Sequence, residues 1–150
     1  MKFFEILDQE TRKRNLRFLV IGGLAVNLYG YSRDTADLDL LVSVPQRESW
    51  LGLFSELGYT IYKDAGVFIQ LSPPKQGAWP VDLMLVQQET SATMFAAGHE
   101  EELYGTHSRI PSLEHLIALK LHALKNGRLE RYLKDYLDVE NLMLINRVDV

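Results

Sequence analysis

Residues 18–42, FLVIGGLAVNLYGYSRDTADLDLLV, constrain this chain more than any other stretch. The apolar run Phe18-Leu19-Val20-Ile21 has the length of one buried strand. Gly22-Gly23 follows, and then Leu24 to Tyr29, which reads as a short helix ending at Gly30. A strand that turns through two glycines into a helix lets backbone approach a ligand closely, and N–H groups left open at the helix start favour an anion. Asp37 to Val42 reads as a second strand. Asp37 and Asp39 are two residues apart and so share a face, with Cα atoms about 6.5–7 Å apart. A phosphate cradle beside two carboxylates on one face is the outline of a site for metal-bound nucleotide.

Each half of that pattern has a plain alternative. Gly-Gly is more often just a tight turn, and an Asp-x-Asp pair can lie on a solvated sheet face. Both within one strand–helix–strand unit are more specific. Two like charges side by side also repel unless a cation or a basic group compensates them.

The remaining sequence bounds the architecture. At 150 residues the chain is expected to be one domain with a proper core, 1–150, its central part at about 16–90 and C-terminal helices at about 112–145. It has no cysteine, which excludes disulfides, thiolate metal sites and a cysteine nucleophile. The formal net charge of -4 argues against a bulk electrostatic nucleic-acid binder, though not against an enzyme that meets RNA locally. Basic clusters at Arg12-Lys13-Arg14-Arg17 and at Lys120, Lys125, Arg128, Arg131 and Lys134 read first as solvated helix faces. The N-terminal MKFFEILDQE lacks a signal-peptide core, and no run of some 18 apolar residues occurs, so a cytoplasmic protein without membrane contact is expected.

Along the chain, a first helix is expected to about Arg14, and another from Pro45 through Trp50, Leu53, Phe54 and Leu57, capped by Gly58. Tyr59–Tyr62 and Val67–Leu71 read as strands around a turn at 64–66, and Val81–Val86 as a further strand. A short helix at 92–97 followed by loop is expected before residue 105. From an N-cap at Ser112, Leu113, Leu116, Ile117, Leu121 and Leu124 set a helical period; a last helix would turn Leu129, Leu133, Leu137 and Val139 inward, with Glu130–Lys134 and Arg131–Asp135 spaced as ion pairs. The predicted class is α+β with α/β character: a mixed sheet flanked by helices. The four histidines show no metal-ligand spacing, and no nucleophile elbow is present.

Gly22-Gly23 followed by Arg33-x-Thr35-x-Asp37-x-Asp39 resembles the signature of the nucleotidyltransferase superfamily (DNA polymerase β-like), and within it the AbiEii-type toxins. Ile110 to Lys120 is similar to that family's "sLedLialK" helix, and Lys134-Asp135-Tyr136-Leu137-Asp138 to its "kDl.D" helix, so the resemblance spans about residues 16–145. It implies a nucleotidyltransferase fold with a short C-terminal helical segment, and transfer of a nucleoside monophosphate from an NTP to an acceptor hydroxyl with release of pyrophosphate. It implies two Mg²⁺ ions held by Asp37, Asp39 and Asp82, since hard cations take oxygen ligands and a metal pair can clamp attacking and leaving oxygens.

Gly22 and Gly23 would cradle phosphate, Lys120 would reach the triphosphate and Asp135 would orient the basic groups around it. Arg33 and Thr35 would contact phosphate or stabilise their loop. Read from the residues alone, Lys120 sits between Leu119 and Leu121, and a half-buried lysine either finds an anion or snorkels to water. Gly23 stands where many minimal members carry serine. The implied setting is a toxin–antitoxin pair with RNA or tRNA as acceptor and an antitoxin or a second copy as partner. The short C-terminal segment leaves acceptor recognition to the helices, a second subunit or a partner. An antibiotic- or protein-modifying nucleotidyltransferase, or a silent nucleotide-binding module, are the alternatives.

Overall fold

A computed structural model describes residues 2–76, 78–126 and 129–147, with the backbone alone at 126 and 129–132. The expected inward Leu129 and the pairs Glu130–Lys134 and Arg131–Asp135 therefore lie outside the described side chains, and Arg128 outside the described residues.

Helix α1 (Phe3–Lys13) leads into strand β1 (Leu19–Ile21), which passes directly into helix α2 (Gly22–Leu28). Strand β2 (Leu38–Ser43), helix α3 (Arg47–Glu56), β3 (Thr60–Asp64), β4 (Phe68–Ser72) and β5 (Val81–Val86) follow. Five strands form one sheet in the order β1-β2-β5-β4-β3. Only β2 and β5 run parallel; the other pairs are antiparallel. The mixed sheet flanked by helices is the architecture the sequence predicts.

Strand alternation gives the sheet two faces. Leu38, Leu40, Val42, Val81, Leu83 and Leu85 join the main core with Trp50, Leu53 and Phe54 of α3. Those three lie at i, i+3 and i+4, one face of the helix. Gly58, at φ +90, ends α3 in the left-handed conformation expected of a capping glycine. On the opposite face Leu19, Ile21 and Leu41 form a smaller cluster, covered by Met94 of helix α4 (Gln88–Ala97). Helix α4 starts four residues before the expected 92.

The loop expected after α4 is instead a hairpin, β6 (His99–Leu103) and β7 (Thr106–Ile110). Tyr104 and Gly105 both have positive φ, 49° and 86°, the backbone of a two-residue hairpin turn. The charged run Glu100-Glu101-Glu102 hides strand alternation because all three residues lie away from the buried core.

Helices α5 (Leu113–Asn126) and α6 (Leu129–Ile145) complete the chain. Ser112 caps α5 as expected, its Oγ accepting the His115 N–H at 3.2 Å. Leu116, Ile117, Val139 and Leu142 pack against Ala25 and Val26 of α2. Three expected inward leucines point outward: Leu121 is 50% exposed, Leu133 65% and Leu137 39%. Polar residues take the inward positions instead, Lys120 on α5 and Asp135 and Asp138 on α6. Among the described residues no helix is long and apolar enough to cross a membrane.

Candidate active site

The site forms where β1 ends and β2 begins. Because β1 and β2 are antiparallel, Ile21 stands opposite Asp39, and the next residue, Gly22, turns the chain into α2 beside that carboxylate. Gly22 has φ +65, and a Cβ there would lie 1.9 Å from Asp39 Oδ2. Glycine is required twice over, by conformation and by space. At Gly23 a Cβ would meet Thr35 Oγ1 at 2.5 Å and Arg33 Nη1 at 3.1 Å. The missing side chains thus let one carboxylate, one hydroxyl and one guanidinium press against two consecutive residues.

Asp39 and Asp82 are register partners on the parallel strands β2 and β5. Neighbouring strands run about 4.8 Å apart and paired residues share a face, so the two carboxylates stand side by side. Asp82 is buried, at 7% exposure, and Asp39 is half-buried. They occupy the acidic end of the sheet face whose other end is the apolar cluster around Leu41 and Met94. Asp37 lies one residue before β2, half-buried, and its backbone carbonyl accepts the Thr35 hydroxyl at 3.3 Å.

Two adjacent carboxylates are hard oxygen donors of the kind Mg²⁺ takes, and Mg²⁺ is ordinarily held by one or two carboxylates together with substrate phosphates. The Asp39–Asp82 pair fits that cation. Among the described residues no group of three His, Asp or Glu side chains is arranged as a metal cage.

A second constellation lies behind the glycine turn. Arg33 donates from Nε to Asp138 Oδ1 at 2.7 Å and from Nη2 to Asp138 Oδ2 at 2.8 Å, a bidentate charged pair. Lys120 Nζ lies 3.0 Å from Asp138 Oδ2 and 3.3 Å from Asp135 Oδ1. Asp138 is fully buried, Asp135 and Lys120 nearly so. Two cations and two carboxylates balance, which is how buried charges are tolerated. The Arg33 loop is further held by its backbone N–H, which donates to Asn27 Oδ1 of α2 at 3.0 Å.

The structure therefore brings Gly22, Gly23, Arg33, Thr35, Asp39 and Asp82 to one end of β2, and joins Lys120 and Asp135 to Arg33 through Asp138. Sequence reasoning gave Asp138 no role. Its signal was its spacing, because Asp135 and Asp138 at i and i+3 must share a helix face. His99 lies on the hairpin, 3.0 Å from Glu101.

Solved structures of the same shape exist. The lincosamide antibiotic adenylyltransferase LnuA, bound to lincomycin, superimposes with a TM-score of 0.66 at 17% identity, over 95% of this chain and 94% of that one. The fold is that of the nucleotidyltransferases. ANT(2'')-Ia in complex with adenylyl-2''-tobramycin shares this nucleotidyltransferase fold at a TM-score of 0.62 and 18% identity, over 95% of this chain and 91% of that one. An antigenic nucleotidyltransferase-like protein from Paracoccidioides brasiliensis shares it at 0.61 and 18%, over 93% and 73%. No protein-family profile matches the sequence, nor does any curated protein.

Proposed function

We propose that this chain is a Mg²⁺-dependent nucleotidyltransferase, moving a nucleoside monophosphate from an NTP to an acceptor hydroxyl with release of pyrophosphate. The observation that carries this reading is the register pairing of Asp39 with Asp82 beside Gly22. Asp39 and Asp82 would hold the metal; Asp37, one residue before β2, is a further donor on the resemblance alone, since no three-carboxylate cage is formed among the described residues. Bound Mg²⁺ would supply Lewis acidity at the transferred phosphoryl group. Gly22 and Gly23 let Asp39, Thr35 and Arg33 close on the turn, so that the phosphates would meet the turn's backbone together with Arg33 and Thr35. Lys120, oriented by Asp135, would add positive charge against the charge that develops in transfer.

For the acceptor we propose an RNA end, tRNA among the candidates, in a toxin–antitoxin setting, on the resemblance of the Arg33-x-Thr35-x-Asp37-x-Asp39 signature and the two C-terminal helices to AbiEii-type toxins. A small-molecule acceptor is the second reading. It is favoured by the likeness in shape to the lincosamide antibiotic adenylyltransferase LnuA, bound to lincomycin, and to ANT(2'')-Ia in complex with adenylyl-2''-tobramycin.

The test is transfer from each α-labelled NTP with Mg²⁺, offered total RNA, lincosamide and aminoglycoside acceptors in parallel. Label in any product must vanish in Asp39→Ala. Label on a discrete RNA supports the first reading and label on drug the second, while activity that survives in Asp39→Ala overturns the assignment of the site.

A further inference from the structure

Asp138 pairs with both cations at once, and it belongs to neither the glycine turn nor the acidic strands. Its two oxygens take Nε and Nη2 of Arg33, while its Oδ2 also lies 3.0 Å from Lys120 Nζ. A guanidinium is planar, so fixing Nε and Nη2 fixes where Nη1 points. Nη1 is the nitrogen that lies 3.1 Å from the missing Gly23 Cβ, with one hydrogen given to the Asp34 carbonyl at 3.1 Å. An arginine held this way presents its charge to the glycine turn at a set angle. Left to itself, the same side chain would lose rotamer freedom only when a ligand arrived.

We infer that Asp138 is a positioning residue for nucleotide binding: it aims the Arg33 guanidinium, and through the shared oxygen the Lys120 ammonium, at the triphosphate. This rests on the reading of the glycine turn as the nucleotide site. Asp138 itself touches no substrate. It is a buried anion close to an anion-binding place, so simple Coulomb repulsion alone would have its presence weaken phosphate binding and its removal strengthen it. Positioning predicts the opposite sign.

The experiment is calorimetric binding of a non-hydrolysable NTP and of the matching NMP, with Mg²⁺, to the wild type, Asp138→Asn, Arg33→Gln and the double variant. The expected result is that Asp138→Asn and Arg33→Gln each weaken NTP binding by about tenfold or more, with much less loss for the NMP, since a misplaced binding group costs on that order. The double variant should bind no more weakly than the worse single one, because each change disables the same aimed group.

NTP binding to Asp138→Asn that equals or exceeds wild type overturns the inference, and so do losses that multiply in the double variant. If Asp138→Asn does not fold, Arg33→Lys takes its place. It keeps the charge and loses the planar fork, so the preference for triphosphate must fall, and an unchanged preference overturns the inference. A wild type that binds no NTP at all would instead overturn the nucleotidyltransferase reading beneath it.

Discussion

A Cβ on Gly22 would sit 1.9 Å from Oδ2 of Asp39, so the glycine turn and the first carboxylate of β2 are in direct contact. On the proposed function, the backbone of one and the side chain of the other would form the place where a phosphate and a cation meet. Either residue can be changed only at the expense of the other.

Gly22→Ala tests that contact. The residue holds φ +65, which costs about 1–2 kcal/mol for an L side chain before any clash is counted. The added methyl must also push Asp39 aside. We expect a folded protein with a lowered Tm and no measurable Mg²⁺–NTP binding by calorimetry. Undiminished binding would mean that the carboxylate does not need its observed position.

The Asp39–Asp82 pair predicts a stability signature for metal. A cation that binds only the folded state raises Tm by mass action, by about 2.7 kcal/mol of stabilisation at a hundredfold excess over its Kd. Mg²⁺ with an NTP should raise the wild-type Tm, and Asp39→Asn or Asp82→Asn should each abolish that shift and lower transfer by at least about a hundredfold, as loss of an electrostatic transition-state group does. A full thermal shift in either variant would remove that residue from the donor set.

Tyr59 sets an alkaline limit. Burial pushes its hydroxyl up to about 12 from 10.0, and its OH donates to the Trp79 carbonyl at 2.6 Å. The folded state therefore favours the protonated phenol. That contribution is complete below about pH 10 and is lost as pH rises through about 12. In Tyr59→Phe, urea denaturation at pH 8 should show a loss of about 1 kcal/mol for the missing hydrogen bond. Between pH 10 and 12 the wild type should fall towards the variant. Parallel curves across that window would contradict the assignment.

The two faces of α5 should respond oppositely. Leu116 is fully buried against α2, so Leu116→Ala should cost about 2–5 kcal/mol. Leu121 is half exposed, and Leu121→Ala should change stability by no more than about 0.5 kcal/mol, as surface substitutions do. Chemical denaturation of both variants checks this directly. Comparable losses would place Leu121 in the core, as leucine spacing alone suggests.

That contrast marks where the sequence is legible. Strand β1, the glycine turn, α2 and β2 could be read from residues 18–42 because each is fixed by neighbours within a few positions: an apolar run, two glycines, and a two-residue alternation. The same holds for β5, for Trp50, Leu53 and Phe54, and for the caps at Gly58 and Ser112. The hairpin of β6 and β7 was not legible. Its acidic strand Glu100-Glu101-Glu102 carries no apolar alternation, and its turn, Tyr104-Gly105, lacks the usual Asn or Asp.

The sequence by itself determined the local pieces and the identity of most groups that meet at the site. Only the tertiary structure decided that Asp82 lies beside Asp39, since strand order between β2 and β5 bridges some forty residues and no local rule sets it. Tertiary structure also decided which way α5 and α6 face. Apolar spacing turned Leu121, Leu133 and Leu137 inward, yet Lys120, Asp135 and Asp138 take those places. The reason is electrostatic: a buried charge is tolerated only with its partner, and Arg33 arrives from a loop about a hundred residues away in sequence. A helical period records where apolar groups are. It cannot record that four charges, apart in the chain, cancel when the fold brings them together.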